Sequence, residues 1–316
     1  MVRRLLLTGL VALTLLSGCA RGRPVPLAIG VRTANDHAPF YLARQLGYYQ
    51  DLGLQAEVQI IQSNTEIVEA ARRGDLQMGA IPVSSAIAAI AHGAPLVIVA
   101  MTGRGSDGLL VRADSGVTDL AGLRGHTIGT VRGSILDVLL RESLEHAGLD
   151  PERDVTLLYF GQLGDMIAAL KTRQIDAASN TEPFMTQAER AGWGRTLHRY
   201  TSDWPDHPCC VVFCRRDLAE QEPGVVEKVL RAHVRAVEYA NSHRAETAQA
   251  IAEAMPGFEP ALVEASLARE RMSIDYHLSA GEIARMAAEM HRLGLIERLP
   301  TADELVDTQF LARVAP

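Results

Sequence analysis

A chain of 316 residues with a formal net charge of −7 has room for one large or two medium domains. Its acidic balance and scattered arginines exclude nucleic acid as a partner, because phosphate binding needs a concentrated basic surface. Aromatics make up only 5%, too few for a broad platform that stacks sugars or bases.

Arg3 and Arg4 form a positive start, and Leu5 to Leu16 follow as an apolar run. That run is too short to span a bilayer and has the length of a signal-peptide core. It ends in Leu16-Ser17-Gly18-Cys19, small residues before a cysteine, the pattern of a bacterial lipoprotein cleavage site. The expectation is therefore a leader over 1–18, lipidation of Cys19, a tether over 19–26, and a chain held at the periplasmic face or cell surface. Acyl chains on one residue suffice for lasting attachment.

From Leu27 the sequence alternates apolar runs with amphipathic stretches, the pattern of a sheet covered by helices. The expected order is a strand over 27–31, a helix over 40–52, a strand over 57–61, a helix over 66–73, a strand over 78–81, a helix over 84–92 and a strand over 96–101. The run 106–111 reads as a strand leaving this series. A second series has strands over 126–131, 155–160 and 175–180 and helices over 135–147 and 163–172. The run Cys209 to Cys214 is again strand-like, and from 224 onward only helices follow, at 224–241, 244–254, 259–268 and 279–292. Such helices are best used to cover the first sheet. The economical reading is two α/β lobes joined by two crossing strands, with lobe I over 27–108 plus 210–316, lobe II over 109–209, and a cleft between them.

The stretch Asn35-Asp36-His37-Ala38-Pro39-Phe40-Tyr41-Leu42-Ala43, with Gly47-Tyr48-Tyr49 and Leu52-Gly53-Leu54, resembles the opening of the nitrate/sulfonate/taurine and thiamine-pyrimidine group of ABC substrate-binding proteins. Gly74-Asp75-Leu76-Gln77-Met78-Gly79, Asp119 to Gly125, Gly164-Asp165-Met166 to Asp176-Ala177-Ala178, and Glu182-Pro183 continue the match through about residue 290. The resemblance implies a type II periplasmic-binding-protein fold, hinge closure on a small ligand, and delivery to ABC permease subunits in the membrane by a monomeric carrier. No cofactor is expected.

In open α/β sheets ligands sit beyond the carboxyl ends of strands, facing helix N-termini. Three loops meet that description: Thr33 to His37, Pro82-Val83-Ser84-Ser85, and Arg132-Gly133-Ser134. The candidate ligand contacts are therefore Asn35, Asp36, His37, Ser84, Ser85, Arg132, Gly133 and Ser134, with Ser84 and Ser134 also expected to cap their helices. Arg104 joins them as a second arginine able to clamp an oxyanion. Glu182 is either a cleft carboxylate that selects an amine or a ring N–H, or a salt bridge across the hinge. In the first role it would repel an anion unless a basic group stood beside it, which favours a small organic nutrient over a bare inorganic anion.

Cys209, Cys210 and Cys214 remain as an odd trio. In a regular strand Cys209 and Cys210 face opposite sides, so the simplest reading is three buried thiols used as small hydrophobes. The alternative is that Pro208 distorts the strand and turns Cys209 or Cys210 into the cleft, where thiolates would take a soft metal. Pyrimidine synthases that share the resemblance carry a Cys-Cys-Cys-Phe-Cys motif, which Cys209-Cys210-Val211-Val212-Phe213-Cys214 echoes in part. They also hold pyridoxal phosphate on a lysine in their N-terminal third, whereas the only lysines here are Lys171 and Lys228. A binding protein is expected, not an enzyme.

Overall fold

The computed structural model describes residues 25–61 and 63–315, so Cys19 and the leader lie outside the described residues. Among the described residues, ten strands form two five-stranded sheets. In chain order they are β1 (Val25–Val31), β2 (Leu54–Ile60), β3 (Met78–Pro82), β4 (Leu96–Arg104), β5 (Asp107–Arg112), β6 (Thr127–Thr130), β7 (Thr156–Tyr159), β8 (Ala177–Thr181), β9 (Gly194–Arg199) and β10 (Pro208–Arg215). The first sheet runs β2-β1-β3-β10-β4 and the second β7-β6-β8-β5-β9.

Both sheets are mixed. Within the first, β1 pairs in parallel with β2 and β3, whereas β10 runs antiparallel to β3 and β4. The second repeats the scheme, with β6 parallel to β7 and β8 and with β5 antiparallel to β8 and β9. The chain passes between sheets twice, at Gly105–Ser106 and just before Pro208, and the Gly105 N–H donates to the His207 carbonyl at 3.1 Å, tying the two passages together. The strands expected to cross thus each pair within one sheet, and the crossings themselves are short linkers.

The helices that matter for the site are α1 (Ala38–Gln45), α2 (Asn64–Arg73), α3 (Val83–Ala91), α4 (Ile135–His146), α5 (Leu163–Lys171), α6 (Phe184–Arg190), α7 (Pro223–Ser242), α8 (Arg244–Ala254) and α9 (Ala280–Arg292). The single helix expected over 40–52 is broken: Gly47 sits at φ +73° and a separate turn, Tyr48–Asp51, follows. Glycine adopts that left-handed conformation without a Cβ clash. The expected helices beyond 223 form, and Val226, Val229, Leu230 and Val237 of α7 bury with Leu27, Ile29 and Val99 of the first sheet. α9 instead packs Ile283, Met286 and Met290 with Ile87 and Ile90 of α3. It also reaches α4 of the second lobe through Arg285–Glu142 at 2.8 Å and Arg292–Glu145 at 2.6 Å. Strand β9 was not expected from sequence; it is an edge strand with one apolar side chain, Leu197, and mostly half-buried residues.

Candidate ligand-binding cleft

The parallel pairs point the carboxyl ends of β1, β3, β6 and β7 toward one another across the space between the sheets. A cavity of about 340 Å³ lies there, lined by the loops that follow those strands and by 63–65 after β2. Of the ten residues expected to contact ligand, eight line it: Asn35, Asp36, His37, Ser85, Arg132, Gly133, Ser134 and Glu182.

The first wall is a tight loop that Arg32 to His37 form before α1. Several bonds fix it: the Tyr41 hydroxyl donates to the Arg32 carbonyl, Thr102 Oγ1 donates to the Asp36 carbonyl at 2.6 Å, and Asn35 Nδ2 donates to Ser266 Oγ at 2.8 Å. Held this way, the loop buries polar atoms that find no partner among the described residues, namely Arg32 Nε, Asn35 Oδ1, Asp36 Oδ2 and His37 Nε2. Such atoms cost free energy unless something satisfies them. Burial, with Arg32 adding repulsion, pushes the His37 imidazole below its usual pKa against the pull of Asp36. His37 is therefore neutral at neutral pH. Its Nδ1 lies 3.0 Å from the Arg32 backbone N–H, from which it accepts in one tautomer, and 3.1 Å from the Arg32 carbonyl, to which it donates in the other, so Nε2 meets a ligand as donor or as acceptor according to the tautomer.

The opposite wall is the turn before α4. Gly133 adopts φ +67°, and its N–H donates to Asp137 Oδ2 at 2.9 Å while Arg141 Nε donates to Asp137 Oδ1 at 2.9 Å. Arg141 also donates to Glu152 at 2.5 Å and to Tyr159 at 2.8 Å. The Arg132 guanidinium lies 3.7 Å above the Tyr159 ring, exposed, and among the described residues no carboxylate pairs with it. Cation–π contact of this kind aims the charge without consuming its hydrogen bonds. Asp137, Arg141 and Tyr159 were not singled out from sequence, because each lies on a helix or strand at a spacing no different from ordinary surface or core positions.

Three expectations need correction, and for Glu182 one of its two open roles is met. Ser84 does not line the cavity; it is fully buried in the first turn of α3, whose N-cap position is Pro82. Ser134 occupies the N-cap of α4 without a side-chain cap bond, its hydroxyl donating instead to the Val131 carbonyl at 2.7 Å. Arg104 points away into a separate cavity of about 540 Å³ that shares no residue with the cleft. There it pairs with Asp275 at 2.7 Å and Glu282 at 3.0 Å and donates to the His277 carbonyl at 2.6 Å, so its donors are spent on the protein. Glu182 is the salt bridge: its carboxylate meets Arg271 at 3.0 Å and Arg199 at 3.4 Å, and accepts from the Thr186 N–H and hydroxyl at 3.0 and 2.7 Å. With two arginines beside it, Glu182 no longer disfavours an anion.

The cysteines also depart from a regular strand. The pairing of β10 with β4 shifts register between Pro208 and Cys210 and again between Cys210 and Val211. The slip brings Cys209 and Cys210 to the same wall of the cleft, Sγ to Sγ 3.8 Å. Cys214 alone is a core residue, packed with Met78, Val97 and α7. All three are free thiols. Contact with Cys210, then burial, raises the Cys209 pKa; the Cys209 contact lowers that of Cys210, but burial and Asp36 outweigh it and leave it at about 12. Residues missed from sequence include Asn64, whose Nδ2 donates to Ser85 Oγ at 3.3 Å, and Gln162. Both follow strands β2 and β7, so the strand-end rule applied to every loop would have found them.

Two mixed sheets of this order, joined by two crossings with a polar cavity between, define the fold of the periplasmic binding proteins. The chain belongs to the NMT1-like family, whose model matches residues 20–256. It is similar in structure to the periplasmic aliphatic sulphonate binding protein SsuA of Escherichia coli, with TM-score 0.79 and 22% identity over 90% of this chain and 92% of that one. In sequence it is 29% identical over 197 residues to the nitrate import ATP-binding protein NrtC of Synechococcus elongatus, 57% of this chain and 30% of that protein. It is 27% identical over 218 residues to a 4-amino-5-hydroxymethyl-2-methylpyrimidine phosphate synthase of Saccharomyces cerevisiae, 64% of this chain and 63% of the yeast protein. The chain thus spans less than two thirds of these curated relatives. Among the described residues no helix is long and apolar enough to cross a membrane.

Proposed function

We propose that this chain is the extracytoplasmic, lipid-anchored solute-binding component of an ABC importer, capturing a small organic nutrient of sulfonate, taurine or pyrimidine type between its lobes. The observation that carries this reading is a cavity lined on one wall by Arg32, Asn35, Asp36 and His37, each with a buried polar atom that has no partner among the described residues, and on the other by Arg132. A ligand with an anionic end toward Arg132 and a hydrogen-bonding end toward His37 and Asn35 satisfies both walls at once. Domain closure on such a ligand then presents the closed form to a permease.

A synthase reading draws on the yeast relative. Binding is favoured because Lys171 and Lys228 are the chain's only lysines and neither lines the cavity, which leaves no amine there to hold an aldehyde cofactor. Attachment rests on Cys19, and a Cys19→Ala chain that stays on membranes would remove that part of the proposal. A thermal-shift screen of taurine, alkanesulfonates, aminopyrimidines, nitrate and bicarbonate tests the ligand class. At a thousandfold excess over Kd a ligand adds about 4 kcal/mol to stability. Stabilisation by nitrate or bicarbonate alone would overturn the organic class.

A further inference from the structure

We propose that the wall of the cleft carries a zinc-class cation site, built from Cys209, Cys210 and Asp36. The two thiols and one Asp36 carboxylate oxygen lie within 4.8 Å of one another, all on buried residues. Asp36 Oδ2 has no hydrogen-bond partner among the described residues, although Asp36 is only 4% exposed.

Geometry selects the ion. Two thiolates on a tetrahedral centre with metal–sulfur bonds of about 2.3 Å stand about 3.8 Å apart, the separation found between the Cys209 and Cys210 sulfurs. A linear two-coordinate ion with similar bonds would need about 4.6 Å. Two sulfurs and one oxygen suit a borderline-soft d10 dication and not magnesium or calcium, which take oxygen shells. Binding releases both thiol protons to solvent and leaves a dication held by two thiolates and one carboxylate. A fourth position then remains for water or a donor atom of the solute.

The surroundings are built for the cluster. The register slips in β10 exist only beside β4, and opposite them Gly103 pairs with Cys210. A Cβ on Gly103 would sit 2.2 Å from Asp36 Cβ, so the carboxylate reaches the thiols only because that position is glycine. Ser106 Oγ donates to Cys209 Sγ at 3.2 Å and itself accepts from Thr181 Oγ1 at 3.0 Å, an outer layer of the kind that orients metal ligands.

The site shares the cleft of the proposed function, since Asp36 lines it, but its two thiol ligands do not depend on which solute the cleft takes. The test is titration of the reduced protein with Zn2+ by calorimetry, and with Cd2+ by its thiolate charge-transfer absorption in the ultraviolet. The expected result is one ion per chain with Kd in the micromolar range or tighter, an absorption band on Cd2+ addition, and no competition from excess Mg2+. Replacing both Cys209 and Cys210 by Ser should weaken binding at least 100-fold, Asp36→Asn about tenfold, and Cys214→Ser less than twofold. The band on wild-type protein reports thiolate coordination even if a variant fails to fold. Absence of that band, or Zn2+ binding unchanged by the double replacement, overturns the site and leaves solute capture standing.

Discussion

Asp137 is the residue through which the interior of the second lobe positions the cleft, and Asp137→Ala isolates that link. The substitution removes the acceptor of the Gly133 N–H and of Arg141 Nε, both at 2.9 Å, from a fully buried position. Breaking a buried ion pair by removing one partner costs about 3–5 kcal/mol. Arg141 keeps Glu152 and the Tyr159 hydroxyl, so the low end, about 3 kcal/mol, is expected. With an unfolding entropy of about 2.1 cal/mol/K per residue, that lowers the thermal midpoint of a chain of this size by roughly 4–5 °C. The 132–134 turn also loses its anchor, and with it the aim of Arg132. Calorimetry with the best compound from the screen should then show at least a tenfold loss of affinity, about 1.4 kcal/mol, at a temperature where the variant is still folded. A stability loss below about 1 kcal/mol, or unchanged affinity in the folded variant, would show that Asp137 does not hold the 132–134 turn.

Arg104→Met should lower stability by about 2–3 kcal/mol, discounted from the buried-pair range because Asp275 and Glu282 are partly exposed, and leave ligand affinity within twofold; a selective affinity loss would return Arg104 to the site. Gly103→Ala must displace Asp36, since the added carbon would meet its Cβ at 2.2 Å; overpacking of this kind costs about 1–3 kcal/mol, seen in urea unfolding, and wild-type stability would show that the loop moves freely. Burial pushes the Asp203 carboxyl up, but bonds from Ser143 and His198 and the His198 charge outweigh it and hold its pKa below the usual value. A depressed folded pKa gives stability that is present above the unfolded value, near 3.9, and is lost as pH falls through the folded one. Asp203→Asn should therefore be less stable than wild type at pH 7, with the gap closing as pH drops below about 4; a gap constant with pH would contradict this.

Periodicity and strand-end logic made the fold legible, because buried strands such as Leu96–Met101 and helices closed by Gly74 or Gly93 carry their own boundaries. β9 escaped because an edge strand half exposed to water needs no apolar alternation. The loops at 33–37 and 132–134 were legible for a topological reason: a residue after a parallel strand faces the cleft whatever its chemistry. Arg104 misled because it ends β4, an antiparallel neighbour of β10 whose end lies beside the hinge and not over the cleft. Glu182 was placed correctly in the chain, but its partner Arg271 lies 89 residues away, a distance no local pattern reports. That Cys209 or Cys210 turns into the cleft was legible as the alternative in which Pro208 distorts the strand, but their 3.8 Å approach was not, since the register slip is set jointly with the partner strand β4.

The central claim is that one solute is held by both lobes together. Calorimetric titration of wild-type protein, Asn35→Ala in the first lobe and Arg132→Ala in the second, with the best organic compound from the screen, tests it most directly. The expected result is one ligand per wild-type chain with Kd near or below 1 μM, about 8 kcal/mol of binding, and a tenfold or greater loss in each variant. Wild-type affinity in either folded variant, or no organic compound binding more tightly than 1 mM, would contradict it.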